Sequence, residues 1–89
     1  MKLRAAAHSK LSNHELALED CKMAISYDPN YSKAYGRMGL AFASLNDHHR
    51  ARDCYKKAVE IDPQNESYRN NLRIAEEKVA EVSHNFTFN

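Results

Sequence analysis

Residues 32–63 read SKAYGRMGLAFASLNDHHRARDCYKKAVEIDP, from Ser32 to Pro63. Tyr35, Met38, Phe42 and Leu45 recur at i, i+3, i+7 and i+10, which makes an apolar helix stripe. Lys33, Arg37, Leu40 and Ser44 recur at i, i+4, i+7 and i+11. At about 100° per residue they fall on the other side of the same helix. The spacing predicts one helix over Ser32–Leu45 and a second over His48–Ile61. Asn46-Asp47 makes the turn between them, with Asp47 as N-cap of the second helix. Pro63 cannot continue that helix. The stretch is therefore read as two antiparallel helices. One face of the first helix packs, and the other offers two cations one turn apart.

Compared with itself at an offset of 34, the chain repeats. Ala7, Leu11, His14, Ala17, Lys22, Ala24, Asp28 and Pro29 reappear as Ala41, Leu45, His48, Ala51, Lys56, Ala58, Asp62 and Pro63. A period of this length belongs to arrays of helix–turn–helix units. Ala17, Ala24, Ala51 and Ala58 would let second helices approach their neighbours closely, and Gly39 would do the same for a first helix. The offset places the end of a first helix at Met1–Leu11, a turn at Ser12-Asn13 capped by Asn13, and a second helix over His14–Tyr27. After Gln64-Asn65 a last helix is expected over Glu66–Val82. Its apolar residues Tyr68, Leu72, Ala75, Val79 and Val82 form one stripe, and one wet side suits the capping end of an array. Ser83–Asn89 shows no period and reads as a flexible tail.

Composition narrows the function classes. The chain has 89 residues, two Gly, two Pro and 28% charged residues, with a formal net charge of +1. That length makes one domain at most, and the composition favours helix. A near-neutral chain has no long-range attraction for nucleic acid, so a basic site must be local. No apolar run reaches the ~20 residues of a membrane span. No secretory pattern opens the sequence, and the expected location is cytoplasmic. Cys21 and Cys54 lie 33 residues apart, a spacing of no zinc or redox motif, and read as reduced, packed thiols. His48 and His49 point about 100° apart on a helix and cannot easily share a metal ion. No metal or cofactor is expected. No activated nucleophile, glycine-rich phosphate loop or acid pair appears, so no enzyme is expected. Asn65-Glu66-Ser67 and Asn85-Phe86-Thr87 fit the glycosylation sequon, which is common by chance.

These residues carry a resemblance. Tyr35, Met38-Gly39, Phe42, Ala51, Tyr55, Ala58 and Pro63 match the signature positions of the tetratricopeptide repeat (TPR), and Ala5, Ala17, Ala24 and Pro29 match them in the preceding unit. Arg4-Ala5-Ala6-Ala7, Tyr31 to Ala41, and Asn71-Leu72-Arg73-Ile74-Ala75-Glu76 resemble the TPR domain of small glutamine-rich TPR-containing co-chaperones. The implied fold is an all-α TPR solenoid. It comprises a truncated repeat over 1–30, a complete repeat over 31–64, a capping helix over 65–82 and a tail over 83–89.

The resemblance also implies a ligand. Five residues of such domains form a carboxylate clamp for the C-terminal Glu-Glu-Val-Asp of the 70-kDa and 90-kDa heat-shock chaperones. Lys33 and Arg37 match two of them, and Leu3 stands where a third is Asn. A terminal carboxylate wants donors in a groove, and Arg engages it in bidentate fashion. Leu40, Ala43, Asn71 and Ile74 would line the same inner face. The candidate peptide-binding residues are thus Lys33, Arg37, Leu40 and Asn71, while Arg73 has no heading that the pattern fixes. The alternative is a structural, self-associating segment with an incomplete groove. On that reading Ala5 and His8 of the first helix are left exposed, and a second copy fills the vacancy to give a homo-oligomer.

Overall fold

The computed structural model describes the backbone of residues 10–88 and the side-chain surroundings of residues 13–82. The described backbone forms four helices: α1 (Lys10–Tyr27), α2 (Ser32–Ser44), α3 (His48–Ile61) and α4 (Glu66–Phe88). Each packs on its neighbour in the chain, α1 on α2, α2 on α3 and α3 on α4. Met1–Ser9, with Leu3, Ala5 and His8, lies outside the described residues. No helix among the described residues is long and apolar enough to cross a membrane.

The α2–α3 corner follows from its sequence. Asn46 adopts φ 63°, a left-handed conformation that Asn tolerates better than most residues. Its N–H donates to the Ala43 carbonyl at 3.0 Å, and the Asp47 N–H donates to that of Phe42 at 2.9 Å. This pair of bonds is a Schellman closure, which satisfies carbonyls left over at the end of α2. The Asp47 carboxylate then accepts the Arg50 N–H at 3.2 Å and opens α3 as the expected N-cap. Asn65 does the same for α4, its Oδ1 accepting the Tyr68 N–H at 3.1 Å. The first of the two sequons thus uses its Asn as a helix cap.

Two boundaries differ from expectation. The turn at Ser12-Asn13 does not form, because both residues lie inside α1. Thirty-four positions later, Asn46 takes the left-handed conformation that closes the turn. Ser12 stands at the equivalent place, and only Gly, Asn and Asp visit that region routinely. With no Gly or Pro between Lys10 and Tyr27, the helix continues. At the other end, α4 runs through Phe88 instead of stopping at Val82. Ser83–Phe88 contains no Gly or Pro, and a helix that already has its nucleus gains a hydrogen bond with each further residue.

The core is made mostly of small residues. Ala51 and Ala58 have no exposed surface, and Ala34, Ala41 and Ala75 are nearly as enclosed. Tyr55 is the one large aromatic side chain among the buried residues described, and it joins Ala51 and Ala75 in one cluster against Phe42, Ala43 and Leu72. Glycines seat the rings: a Cβ at Gly39 would collide with Tyr55, and one at Gly36 would come within 2.6 Å of Tyr68. Tyr35, Met38, Phe42 and Leu45 are half-buried, so the predicted stripe packs while Ala34, Gly36, Gly39 and Ala41 beside it make the closest contacts. Ala51 and Ala58 are buried as expected of second-helix alanines, whereas Ala17 and Ala24 of α1 are half-buried.

Candidate functional site

The stripe opposite the packed face of α2 carries Lys33, Arg37, Leu40 and Ser44, all exposed. Lys33 and Arg37 line one cavity of about 70 Å³ with Tyr31 and Ala34, closed on the α1 side by Asp20, Cys21 and Ala24. A larger cavity, of about 290 Å³, follows along the same α1–α2 seam. Arg37, Leu40 and Ser44 face His14, Ala17 and Asp20 across it. Asp20, Cys21 and Arg37 are common to both cavities and form the saddle between them.

Neither Lys33 nor Arg37 belongs to an ion pair within 4.0 Å among the described residues. The pairs found there are Asp47–Arg50, Arg52–Asp53, Lys57–Glu60 and Arg73–Glu77. The α2 cations are therefore available to an external anion. Leu40, 55% exposed, gives the larger cavity an apolar wall.

Asn71 sits elsewhere. With Ile74 and Lys78 it borders a third cavity of about 190 Å³ on the other flank of α2, where Ala43, His48 and Tyr55 complete the wall. The seven-residue spacing from Asn71 to Lys78 places both on one face of α4. Lys33, Arg37 and Leu40 thus gather along α1, while Asn71 joins Ala43 and Ile74 across α3 and α4. Arg73 faces away from that group. Its guanidinium donates to Asn70 Oδ1 at 2.8 Å and to Glu77 Oε2 at 3.2 Å, and it borders a surface cleft with Glu66, Arg69 and Asn70.

Sequence reasoning missed Asp20, His14 and Lys78. Lys78 was within reach, four residues beyond Ile74 on the same face. Asp20 and His14 carry no such signal, because the side of α1 that meets α2 is set by packing between two helices.

The thiols are chemically quiet. Cys21 is buried and Cys54 half-buried, and both are free. Burial pushes the Cys54 thiol up to about 11, with the Asp53, Cys21 and Asp47 charges acting the same way. Burial also raises Cys21, against the lowering effect of Arg37. Such thiols stay protonated at neutral pH and are poor nucleophiles. Cys21 occupies the place that Tyr55 holds thirty-four residues later, and both are buried. No group of three His, Cys, Asp or Glu among the described residues could hold a metal ion.

The tetratricopeptide repeat model matches residues 32–65. Small glutamine-rich tetratricopeptide repeat-containing protein 2 of Mycosarcoma maydis is 39% identical over 80 residues, covering 90% of this chain and 23% of that protein. Heat-shock protein cognate (HSC) co-chaperone sgt12 of Aspergillus fumigatus is 35% identical over 82 residues, covering 90% and 24% respectively. The chain thus spans about a quarter of the length of these relatives. Among solved structures, the first TPR of Spaghetti (RPAP3), bound to the HSP90 peptide SRMEEVD, superposes with a TM-score of 0.73 at 32% identity, over 86% of this chain and 61% of that one. The chain carries a tetratricopeptide repeat at residues 32–65, its described helices form an all-α tetratricopeptide solenoid, and over most of its length it is similar to the small glutamine-rich tetratricopeptide repeat-containing proteins.

Proposed function

We propose that this chain is a protein-interaction module of a co-chaperone, holding the acidic C-terminal tail of a heat-shock chaperone at Lys33 and Arg37. The observation that carries the reading is the cation pair itself. Two exposed cations one turn apart border a single cavity, and neither is engaged by a carboxylate among the described residues. A peptide's terminal carboxylate and acidic side chains are the ligand chemistry that such donors recognise. Leu40 supplies apolar contact beside Arg37, and Asn71 offers amide hydrogen bonds to a part of the peptide that crosses to the other flank of α2. The similar Spaghetti (RPAP3) domain, bound to a peptide ending in Glu-Glu-Val-Asp, supports this choice of ligand. Both cysteines are free, which suits the reducing, cytoplasmic setting we propose.

The test is a titration with a labelled peptide ending in Glu-Glu-Val-Asp. Saturable binding is expected with a free terminal carboxylate. It should weaken at least about tenfold for the amidated peptide or for the double change Lys33→Ala, Arg37→Ala, since hydrogen bonds to charged groups contribute roughly 1.5–3 kcal/mol each. Equal binding of free and amidated peptide would sink the reading.

A second reading, self-association without a peptide ligand, is favoured by the apolar surface of α1. Met23 is 61% and Tyr27 83% exposed, and the two sit four residues apart on one face. Light scattering after size exclusion decides it. A concentration-independent monomer mass removes the homo-oligomer, and a dimer that survives Lys33→Ala, Arg37→Ala separates assembly from the cation site.

A further inference from the structure

We propose that Asp20 is a specificity-determining residue of the Lys33–Arg37 site, a carboxylate that admits peptide termini and turns away ligands that bring negative charge alone. The inference rests on the tail-binding reading and concerns a residue of a different helix. Asp20 and Arg37 belong to both cavities of the α1–α2 seam, so a ligand that enters either cavity to reach Arg37 comes beside Asp20. The two charges act on one group. At the Cys21 sulfur, Arg37 favours the thiolate and Asp20 opposes it. They stop short of pairing, since no Asp20–Arg37 contact falls within 4.0 Å among the described ion pairs. Asp20 therefore leaves the guanidinium free while lowering the positive charge of the trio from two to one.

The consequence is selective. A bare polyanion gains Lys33 and Arg37 but suffers repulsion from Asp20, with nothing to donate to it. A peptide C-terminus carries its carboxylate beside backbone N–H groups. Its carboxylate turns to the cations, and an amide N–H donates to Asp20, so the same residue that repels the polyanion is satisfied. Hydrogen bonds to an ionised acceptor are the stronger kind.

Two probes and two variants test this by direct titration of isotope-labelled protein. The probes are tripolyphosphate and the free-carboxylate peptide ending in Glu-Glu-Val-Asp. The variants are Asp20→Asn and Asp20→Ala, with thermal melts to establish that both stay folded at this exposed position. A unit charge a few ångströms away in solvent changes affinity by about fivefold. Both variants should therefore bind tripolyphosphate about fivefold more tightly than the wild type. The peptide should gain nothing from Asp20→Asn and lose roughly fivefold with Asp20→Ala, which keeps no acceptor. Equal gains for both probes would reduce Asp20 to a simple repeller and overturn the proposal. No change for either probe would overturn it as well, with tail binding left standing if the wild type holds the peptide. Failure of all three proteins to bind the peptide would overturn the tail-binding reading and this proposal together.

Discussion

The ring of Tyr55 lies against the backbone of Gly39, where a Cβ would collide with its Cε1, Cδ1 and Cζ atoms. The contact joins α2 to α3 at the centre of the complete repeat, and Tyr55 is only 3% exposed. It predicts an inversion of the usual helix preference. Alanine in place of an interior helical glycine should stabilise by about 1 kcal/mol through propensity alone. At Gly39 the new methyl must displace a buried ring, and overpacking of this kind costs about 1–3 kcal/mol. Gly39→Ala should therefore lower the urea midpoint. Gly36→Ala should cost less, because the Tyr68 ring that it meets is half-buried and has room to shift. A higher midpoint for Gly39→Ala would contradict the close approach.

Much of this packing is legible in the sequence. The period of 34, the apolar stripe of α2 and the Asp47 cap all appear in the sequence, because each rests on local spacing or local hydrogen bonding. The bounds of α3 follow from the same signals. Ser12-Asn13 reads as a turn because Ser and Asn are both good turn and cap residues. What decides the matter is whether a residue at the corner accepts positive φ, as Asn46 does. Spacing on one helix puts Lys33 and Arg37 on one exposed face of α2, as the structure has them. That Asp20 borders the same cavities depends on a packing angle between two helices, which no local pattern encodes.

The Asp47 cap should carry a measurable share of stability. Its carboxylate accepts the Arg50 N–H at 3.2 Å, and a longer contact of 3.6 Å joins it to the Arg50 guanidinium. Asp47→Ala leaves the N–H unpaired and should cost about 1 kcal/mol. Asp47→Asn keeps the acceptor and should cost less. Arg50→Ala should change little, since exposed ion pairs contribute close to nothing. The order of urea midpoints among the three variants checks the assignment, and a loss for Arg50→Ala as large as for Asp47→Ala would shift the credit from the cap to the Arg50 side chain, which also stands 5.9 Å over the Phe42 ring.

The thiols predict an alkaline limit to stability. Cys54 is raised from an ordinary value of 9.0 to about 11 in the folded chain. Between those values the folded state holds a proton that the unfolded state has released, so stability falls as pH rises. The contribution is fully present below about pH 9 and is lost as pH passes about 11. Cys21 and the Tyr55 phenol, both raised chiefly by burial, act in the same direction. Urea midpoints taken from pH 7 to 11 should decline above pH 9, and Cys54→Ala should flatten part of that slope. An unchanged slope in the variant would assign the alkaline loss to Cys21 and Tyr55.

Arg73 separates a charge that is merely present from one that is placed. It stands two residues from Asn71, yet on a helix that spacing turns it about 200° away. Its guanidinium is occupied by Asn70 and Glu77, on the face where Glu66 and Arg69 also lie. Arg73→Ala should therefore leave the affinity for a peptide ending in Glu-Glu-Val-Asp within about twofold, the residual change being long-range attraction screened by salt. Raising the salt from about 0.05 to 0.5 M should remove even that. Asn71→Ala should behave differently. Its side chain borders the cavity with Ile74 and Lys78, and loss of a hydrogen bond there should weaken binding by about three- to tenfold, with little dependence on salt. Equal, salt-sensitive losses for the two variants would mean that the peptide senses only the net charge of α4. A loss confined to Asn71→Ala would carry the peptide across α2, from the Lys33–Arg37 pair to the face that Asn71 shares with Lys78.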